Sequence, residues 1–295
     1  MKRIAGINAP ARGGMAVLKP FDVTAHVPDG YLFTRWMANL PWWSPLAILL
    51  FMAVWPAVAY AQSQFGTVDA FAALWRWMPF LLWSGFLFNV LISVLAMAIG
   101  TVAGAALGLA QISPLKPLRM VAWFITQLFR NSPWLVILFI VLLALPFEFQ
   151  AFGMVIRIPD WMKGVFGLSL PVMANISEVV RGAVQSVPTA QWEAAESLAF
   201  SRRQILWQII LPQCYKRMLP PWMNWYAILT MATPLCSLLG IEEIITLSRQ
   251  AMESEDNHPE LLVPFFGFAL LMFFLYCYPI ARLTMWLERK FAVKL

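Results

Sequence analysis

Ionisable side chains inside apolar runs are the first places where this sequence could do chemistry. Arg130 interrupts one such run, and Glu178 and Arg181 lie one helical turn apart in another. Inside a bilayer a charge costs from a few to more than about 10 kcal/mol unless it is paired or solvated. We therefore expect Arg130 to line a wet pathway, where it meets a solute carboxylate or Glu178. The alternative is an ion pair that locks two helices together.

Uncharged polar side chains in the apolar runs are the second group of candidates. They either line a polar path or hydrogen-bond to neighbouring helices, as such residues commonly do. Glu178 and Arg181 lie near one end of their run, where gating and simple pairing with each other are both open. The uncharged candidates are Asn175, Asn224, Thr230 and Thr233.

Groupings that would support covalent or metal chemistry do not occur in the sequence. Cys214, Cys236 and Cys277 are far apart and are predicted to be packing residues. The apolar runs contain no Gly-x-Ser-x-Gly, and the dipeptide Gly-Lys never occurs, so the usual phosphate-binding loop is missing. No catalytic site, metal site or cofactor is expected in this chain, and the polar residues suggest passage of a solute instead.

The composition identifies the solvent in which these residues must work. Of the 295 residues, 61% are hydrophobic and only 12% are charged, and the mean hydropathy is +0.70. This excludes a disordered chain, a secreted disulfide scaffold and a soluble enzyme. The apolar runs are continuous and do not alternate with polar residues, so they predict helices and not the strands of a barrel. The fold class is an all-α polytopic membrane protein with six predicted spans, at 44–61, 82–111, 120–147, 164–187, 218–241 and 261–284.

Basic residues predict the orientation of the spans. With both termini inside, sixteen of the 21 Lys and Arg residues lie on the inner side and four lie outside, while Arg130 lies within a span. Basic residues collect on the cytoplasmic side of membrane proteins. The N- and C-termini are therefore predicted to be cytoplasmic, the acidic segment 242–260 external, and the net charge of +6 needs no nucleic-acid partner.

The N-terminal region is predicted to be a cytoplasmic tail, 1–43, followed by an extra transmembrane helix, 44–61. That helix ends in Ala59-Tyr60-Ala61, which resembles a signal-peptidase site, but the 43-residue lead is too long for a signal peptide. We expect the helix to be retained, and N-terminal sequencing of the mature protein tests this. Residues 66–79 are predicted to form an interfacial helix that ends at Pro79.

A small-residue row and a charged segment complete the pattern. Gly100, Gly104 and Gly108 recur every four residues, which lets another helix approach closely. The inner segment 188–217 predicts a short helix at about 191–199, a polar break, and a second helix at about 202–210 that stops at Pro212. Such a helical knob on the cytoplasmic face can transmit force from a soluble partner.

This segment resembles the EAA signature of bacterial ABC importer permeases. The family pattern is Glu-Ala-Ala, three residues, Gly, nine residues, then Ile-x-Leu-Pro, and six of the seven specified positions match here at the same spacing. The departure is Ala199 in place of Gly, which puts the geometry of the intervening turn in question, because Ala with a positive φ costs about 1 kcal/mol. The matching residues are Glu193, Ala194, Ala195, Ile209, Leu211 and Pro212.

The likeness extends over about residues 80–290 and is closest to the polar amino acid uptake subfamily, whose substrates include opines. Arg130-Asn131-Ser132-Pro133 is similar to its Arg-Gly-Thr-Pro, and Ser177–Gly182 followed by Gln185–Pro188 is similar to two more of its motifs. Met231-Ala232 departs from the Lys-Asp that is usual there. This departure leaves the precise amino-acid specificity open.

The resemblance implies a type I ABC importer transmembrane fold with five core helices plus the extra N-terminal helix, in the bacterial inner membrane. It also implies two ATP-binding subunits that hold ATP and Mg, a second permease that is identical or homologous, and an external solute-binding protein. The open alternatives are a permease for another small solute and an ion-coupled secondary transporter, although no internal repeat is evident.

Overall fold

The computed structural model describes residues 66–151 and 154–291. The predicted tail 1–43 and extra helix 44–61 lie outside the described residues. Over the described part the chain is helical except for one short hairpin, so the predicted fold class is confirmed. The elements are α1 Thr67–Gln111, α2 Lys116–Arg130, α3 Trp134–Ala144, β1 Glu148–Ala151, β2 Met154–Arg157, α4 Asp160–Gln185, α5 Thr189–Ser197, α6 Arg202–Leu239, α7 Ile244–Ser254 and α8 Pro259–Phe291.

Helix α1 is longer than the sequence pattern suggests. The separate interfacial helix predicted over 66–79 is wrong, because the chain continues through Pro79 into the span predicted at 82–111. A π-helical turn, Leu81–Phe86, begins two residues after Pro79. Proline lacks the N–H that would continue the regular ladder, and a wider turn beside it absorbs the mismatch without ending the helix.

The predicted small-residue row on α1 packs against α4, as expected. A methyl group added at Gly104 would lie 2.6 Å from the backbone oxygen of Met173, and one added at Gly108 would lie 2.6 Å from that of Ser177. Neither distance is sterically possible, so the two helix backbones approach each other as closely as they do only because these positions lack a Cβ.

The predicted span 120–147 is a bent pair of helices and not one straight element. Helices α2 and α3 meet at an angle of 106° across a break of three residues, 131–133. Pro133 precedes α3 and has extended backbone geometry, which ends the helical hydrogen bonding of α2. Beyond α3 the polar stretch forms a two-stranded antiparallel hairpin in which Glu148 is opposite Arg157.

Helix α6 corrects the predicted stop at Pro212. The helix runs on from Arg202 to Leu239. A π-helical turn over Ile205–Ile210 ends two residues before the proline, and a 3-10 segment over Thr233–Leu239 ends the helix. The wide turn near Pro212 accommodates the hydrogen bond that is missing because proline has no N–H. Gly240 then adopts a positive φ of 73°, which reverses the chain into the loop before α7.

The span count is confirmed in part. By length and composition, α1 and α8 can each cross a bilayer, and two bent pairs, α2 with α3 and α6 with α7, pass the same test together. Helix α4, predicted as the span 164–187, is more polar because it is the central helix of the bundle. It packs against α1, α2, α3 and α6, so most of its surface meets protein.

Candidate coupling segment and translocation pathway

The turn between α5 and α6 keeps the geometry that the sequence comparison put in question. Ala199 has a φ of 59°, the left-handed conformation that glycine adopts without strain. The Phe200 N–H donates to the carbonyl of Ala195 at 3.2 Å, and the Ala199 N–H donates to that of Glu196 at 2.9 Å. These are the two bonds of a Schellman motif, and together they hold an alanine in place of the usual glycine.

Helix α6 begins immediately after this turn with a capping box. The hydroxyl of Ser201 accepts from the Gln204 N–H, and the side chain of Gln204 accepts from the Ser201 N–H at 2.9 Å. The first turn of α6 thus has its otherwise unpaired N–H groups satisfied. The first predicted short helix is therefore present as α5, two residues earlier at each end than the predicted 191–199. The second begins at Arg202 as predicted, but it is the first part of the long helix α6.

The residues that match the EAA signature differ in their exposure. Glu193 and Ala194 are exposed on α5, whereas Ala195 is 4% exposed and belongs to an apolar cluster with Val184, Ile205, Ile210 and Cys214. This cluster attaches the knob to the C-terminal end of α4. The remaining residues of the signature sit on α6, where Ile209 and Leu211 are half-buried and Pro212 is exposed.

A second attachment is polar. The guanidinium of Arg217 on α6 donates to both the carbonyl and the hydroxyl of Ser186, at 2.8 Å and 2.7 Å. Ser186 directly follows the last residue of α4, so α6 and α4 are joined on both sides of the knob. The knob and the start of α6 are therefore attached to the end of α4 by both apolar contacts and hydrogen bonds.

The three predicted charged residues come together. The Glu178 carboxylate accepts from Arg181, with an Nη2–Oε2 distance of 2.6 Å, and lies 3.5 Å from Nη1 of Arg130. Arg130 is the last residue of α2, whereas the other two are on α4. The side chain of Arg130 is 46% exposed and that of Glu178 is 16% exposed, so this cluster borders open space and is not sealed in the core.

Next to this cluster lies a polar group that the sequence analysis did not single out. The amide of Gln111 donates to Thr126 at 2.9 Å and to Ser177 at 3.1 Å, and all three side chains are buried. They come from α1, α2 and α4. Gln111 ends the long apolar run of α1, and a polar residue at that position was the available signal.

The four uncharged candidates have different surroundings. Asn175 donates to the carbonyl of Pro171, Thr230 to that of Tyr226, and both side chains are buried. Thr233 is also buried and donates to the carbonyl of Thr230, and Asn224 is exposed. Asn224 is thus the one exposed residue among these four candidates.

A buried network around Glu243 was not predicted either. Glu243 belongs to the acidic segment predicted to be external, 242–260, and its side chain is fully buried. It caps α7 by accepting from the Ile245 and Thr246 N–H groups. The amide of Asn89 on α1 donates to Glu243 and to Thr233, each at 2.9 Å. Asn89 therefore links α1 to the end of α6 and the start of α7.

Comparison with known families decides what this arrangement belongs to. The model of the family described as "Binding-protein-dependent transport system inner membrane component" matches residues 100–293, which include α4, the knob and α6. The chain belongs to this family. It is a permease subunit, and the knob at α5 and the start of α6 carries the family's EAA motif.

Relatives of this permease are named for amino-acid transport. It is 32% identical over 183 residues to a probable amino-acid ABC transporter permease of Sinorhizobium fredii, covering 61% of this chain and 77% of the relative. It is 27% identical over 206 residues to an L-cystine transport system permease of Bacillus subtilis, covering 70% and 84%. An arginine transport system permease of the same organism is 30% identical over 193 residues, covering 65% and 85%.

Solved structures agree with the fold. The permease superposes on a chain of an amino acid ABC transporter crystallised with histidines, with a TM-score of 0.63 and 25% identity, over 75% of this chain and 98% of that one. It also superposes on the inward-facing MetNI methionine ABC transporter, with a TM-score of 0.55 and 15% identity, over 72% and 97%. The type I importer fold of this permease is thereby established.

Proposed function

We propose that this permease forms the pathway for amino acids, or related compounds such as opines, in an ATP-driven importer of the bacterial inner membrane. The observation that carries the proposal is the conjunction of two features in one chain. The exposed knob at α5 is joined through packed contacts to α4, and α4 carries the charged cluster of Glu178 with Arg130 and Arg181. The names of the relatives support the amino-acid class.

The energy comes from other subunits in this proposal. Two ATP-binding subunits, which hold ATP and Mg, each clasp one knob, and a second permease, identical or homologous, completes the pathway. An external solute-binding protein delivers the substrate. The membership of the permease in a binding-protein-dependent family supports both kinds of partner. Both termini are placed in the cytoplasm, with the basic bias of the sequence as the supporting observation.

Force would pass from the knob to the pathway along a short route. Closure of the ATP-binding subunits displaces α5, and the buried cluster of Ala195 with Val184 and Cys214 transmits that displacement to α4. Arg217, bonded to Ser186, adds a rigid polar link. Glu178 is on α4, about two helical turns before Ser186, which directly follows this helix. The charged cluster would therefore shift with the end of α4.

The charged cluster suits a zwitterionic solute. An amino acid carries a carboxylate, which guanidinium groups bind strongly, and an ammonium group, which a carboxylate binds. Arg130 is half exposed and is bonded to Glu178 only at 3.5 Å, so it is the group best able to exchange partners.

Asn224 is a further pathway candidate because it is exposed. Asn175, Thr230, Thr233 and Arg181 would take part only if the helices rearrange during transport. In the other reading the cluster only locks α2 to α4.

A direct test of coupling reverses one charge on the knob. Glu193→Lys in the assembled transporter is expected to abolish co-purification of the ATP-binding subunits and ATP-dependent uptake, because Glu193 is exposed on α5. The matched control is Glu288→Lys, an exposed glutamate near the end of α8, which is expected to keep both. Intact uptake and subunit binding in Glu193→Lys would show that the knob is not the coupling element.

The substrate class needs a separate test. The cognate external binding protein is screened for thermal stabilisation by a panel of amino acids, opines, sugars and short peptides. Stabilisation by an amino acid or opine, with uptake of the same compound by proteoliposomes, is the expected result. Stabilisation by a sugar or peptide alone would favour a permease for another small solute. Uptake driven by an ion gradient without ATP would favour the secondary transporter.

A further inference from the structure

A cavity of about 880 Å³ lies beneath the knob, outside the charged cluster described above. Its walls come from the last turn of α1, the loop that leads into α2, the C-terminal end of α4, and the knob itself. It is within the usual size range of pockets that bind small molecules. The residues that enter the argument are Arg119, Arg202, Arg203, Leu118, Trp192 and Leu206.

The charge of this cavity has one sign. Arg119 lines the cavity from α2, and Arg202 and Arg203 line it from the first turn of α6. All three residues are exposed, and none forms an ion pair with a carboxylate among the residues that the structure describes. No Asp or Glu of this described part lines the cavity. Three guanidiniums without a counter-charge attract an anion with several oxygen atoms.

The rest of the lining is apolar. Leu118 is 45% exposed, and with Ile112, Val184, Leu206 and the indole of Trp192 it forms a wall beside the arginines. An apolar wall beside a cationic cluster suits a ligand with one charged end and one hydrocarbon end. A free inorganic phosphate would use the arginines and leave the apolar wall exposed to water, at a cost in hydrophobic burial.

The position in the chain is at a membrane boundary. The apolar run of α1 ends at Gln111, and the next charged residues of the chain, Lys116 and Arg119, follow at once. Basic pockets at the cytoplasmic ends of transmembrane helices bind the head groups of anionic lipids. This step rests on the orientation given under the proposed function, in which this end of the bundle faces the cytoplasm.

We propose that this cavity binds the phosphate head group of an anionic phospholipid from the inner leaflet, with the three arginines around the phosphate and the start of the acyl chains against Leu118 and Trp192. The bound lipid connects α2 to the first turn of α6. It therefore steadies the knob at the base of the Ala199 turn.

The test measures lipid retention by the full-length permease. The purified chain is incubated with equal amounts of dioleoylphosphatidylglycerol and dioleoylphosphatidylcholine, and bound lipid is counted by native mass spectrometry. Three proteins are compared with the wild type: a triple variant Arg119→Gln, Arg202→Gln, Arg203→Gln; the same three positions changed to Lys; and Arg289→Gln. Arg289 is an exposed arginine near the end of α8 that does not line the cavity, so it is the matched control.

The wild type, the lysine variant and Arg289→Gln are expected to retain phosphatidylglycerol in preference to phosphatidylcholine. Each arginine removed is expected to weaken retention about fivefold, so the glutamine triple variant should bind about a hundredfold more weakly. Lipid retention by the lysine variant also shows that loss of lipid in the glutamine variant is not a folding failure, because both variants replace the same three arginines.

Three results would overturn the proposal. The first is equal phosphatidylglycerol retention in the glutamine triple variant and the wild type. The second is equal loss in Arg289→Gln, which would indicate a general effect of basic charge. The third is displacement of the lipid by millimolar inorganic phosphate, which would assign the site to the free anion. If the first result is accompanied by loss of co-purification with the ATP-binding subunits, the arginines contact those subunits and not a lipid. None of these results depends on Glu193, so the lipid site and the coupling function fail separately.

Discussion

Arg130 at the end of α2 lies with its Nη1 atom 3.5 Å from Oε2 of Glu178, about two turns before the end of α4. The same carboxylate oxygen accepts a shorter hydrogen bond of 2.6 Å from Arg181, one turn along α4. One carboxylate therefore holds two guanidiniums, one within its own helix and one across the bundle. The bond within the helix supports the α4 turn, and the bond across the bundle is the contact that a solute carboxylate can replace.

A double-mutant cycle measures the bond across the bundle. The free energy of unfolding is measured for Arg130→Gln, for Glu178→Gln and for the double variant. The interaction energy between the two residues is expected to be at most about 1 kcal/mol, because Arg130 is half exposed and screened. Uptake is expected to fall strongly in Arg130→Gln, with the ATP-binding subunits still bound. Arg157→Gln is the control, since Arg157 pairs with Glu148 on the exposed hairpin and should leave uptake unchanged. Normal uptake in Arg130→Gln would contradict the pathway role and the locking role together.

The contact of α1 with α4 predicts a sharp difference between two glycines. Gly104→Ala is expected to destabilise the permease by about 1–3 kcal/mol, because the new methyl group would lie 2.6 Å from the Met173 oxygen and the helices must separate. Gly182→Ala adds the same group to α4 where nothing lies within 4 Å, and it should be neutral or slightly stabilising. Thermal unfolding followed by tryptophan fluorescence in detergent measures both. Equal melting temperatures would argue against close packing of these helices.

The turn of the knob predicts a gain of stability from the residue that the family prefers. Ala199→Gly is expected to stabilise the turn by about 1 kcal/mol, since φ at this position is 59° and glycine removes the steric cost of the Cβ. Ala194→Gly, inside α5, is the matched opposite and should destabilise the helix by about 1 kcal/mol. Thermal unfolding and proteolysis of the knob in the two variants report the change. A loss of stability in Ala199→Gly would mean that the left-handed turn is not formed.

The buried network around Asn89 predicts a large effect from one polar residue. Asn89→Leu leaves the Glu243 carboxylate with fewer donors and the Ile244 N–H without its acceptor, so a loss of about 2–5 kcal/mol is expected. The control Asn224→Leu alters an exposed amide and should change the stability by less than about 0.5 kcal/mol. The yield of monodisperse protein after heating is a direct measure. A small effect of Asn89→Leu would show that Glu243 has other means of compensation.

Part of this protein could be predicted from the sequence because the signals were local. A continuous apolar run indicates a helix in lipid wherever it occurs, and the fixed spacing from Glu193 to Pro212 identifies the knob without any knowledge of what surrounds it. The glycine row likewise predicts a close helix contact, because the lack of a side chain is a property of the residue itself.

Proline positions show where local signals fail. Pro79 and Pro212 each predict the end of a helix, yet each lies beside a π-helical turn within a continuous helix. The packing of buried residues on both sides, such as Ala73 and Leu81 around Pro79, stabilises the helix enough to tolerate the altered hydrogen bonding.

The sequence by itself indicated a membrane-embedded chain, its helical class, the bias in its orientation and the segment with the EAA signature. Each of these depends on composition or on neighbours along the chain. Only the tertiary structure decided that Arg130 reaches Glu178, that Glu243 is buried against Asn89, and that three arginines share a cavity below the knob. These relationships join residues up to 154 positions apart. They arise from the packing of different helices against one another, with α4 at the centre, and packing of this kind carries no local signature.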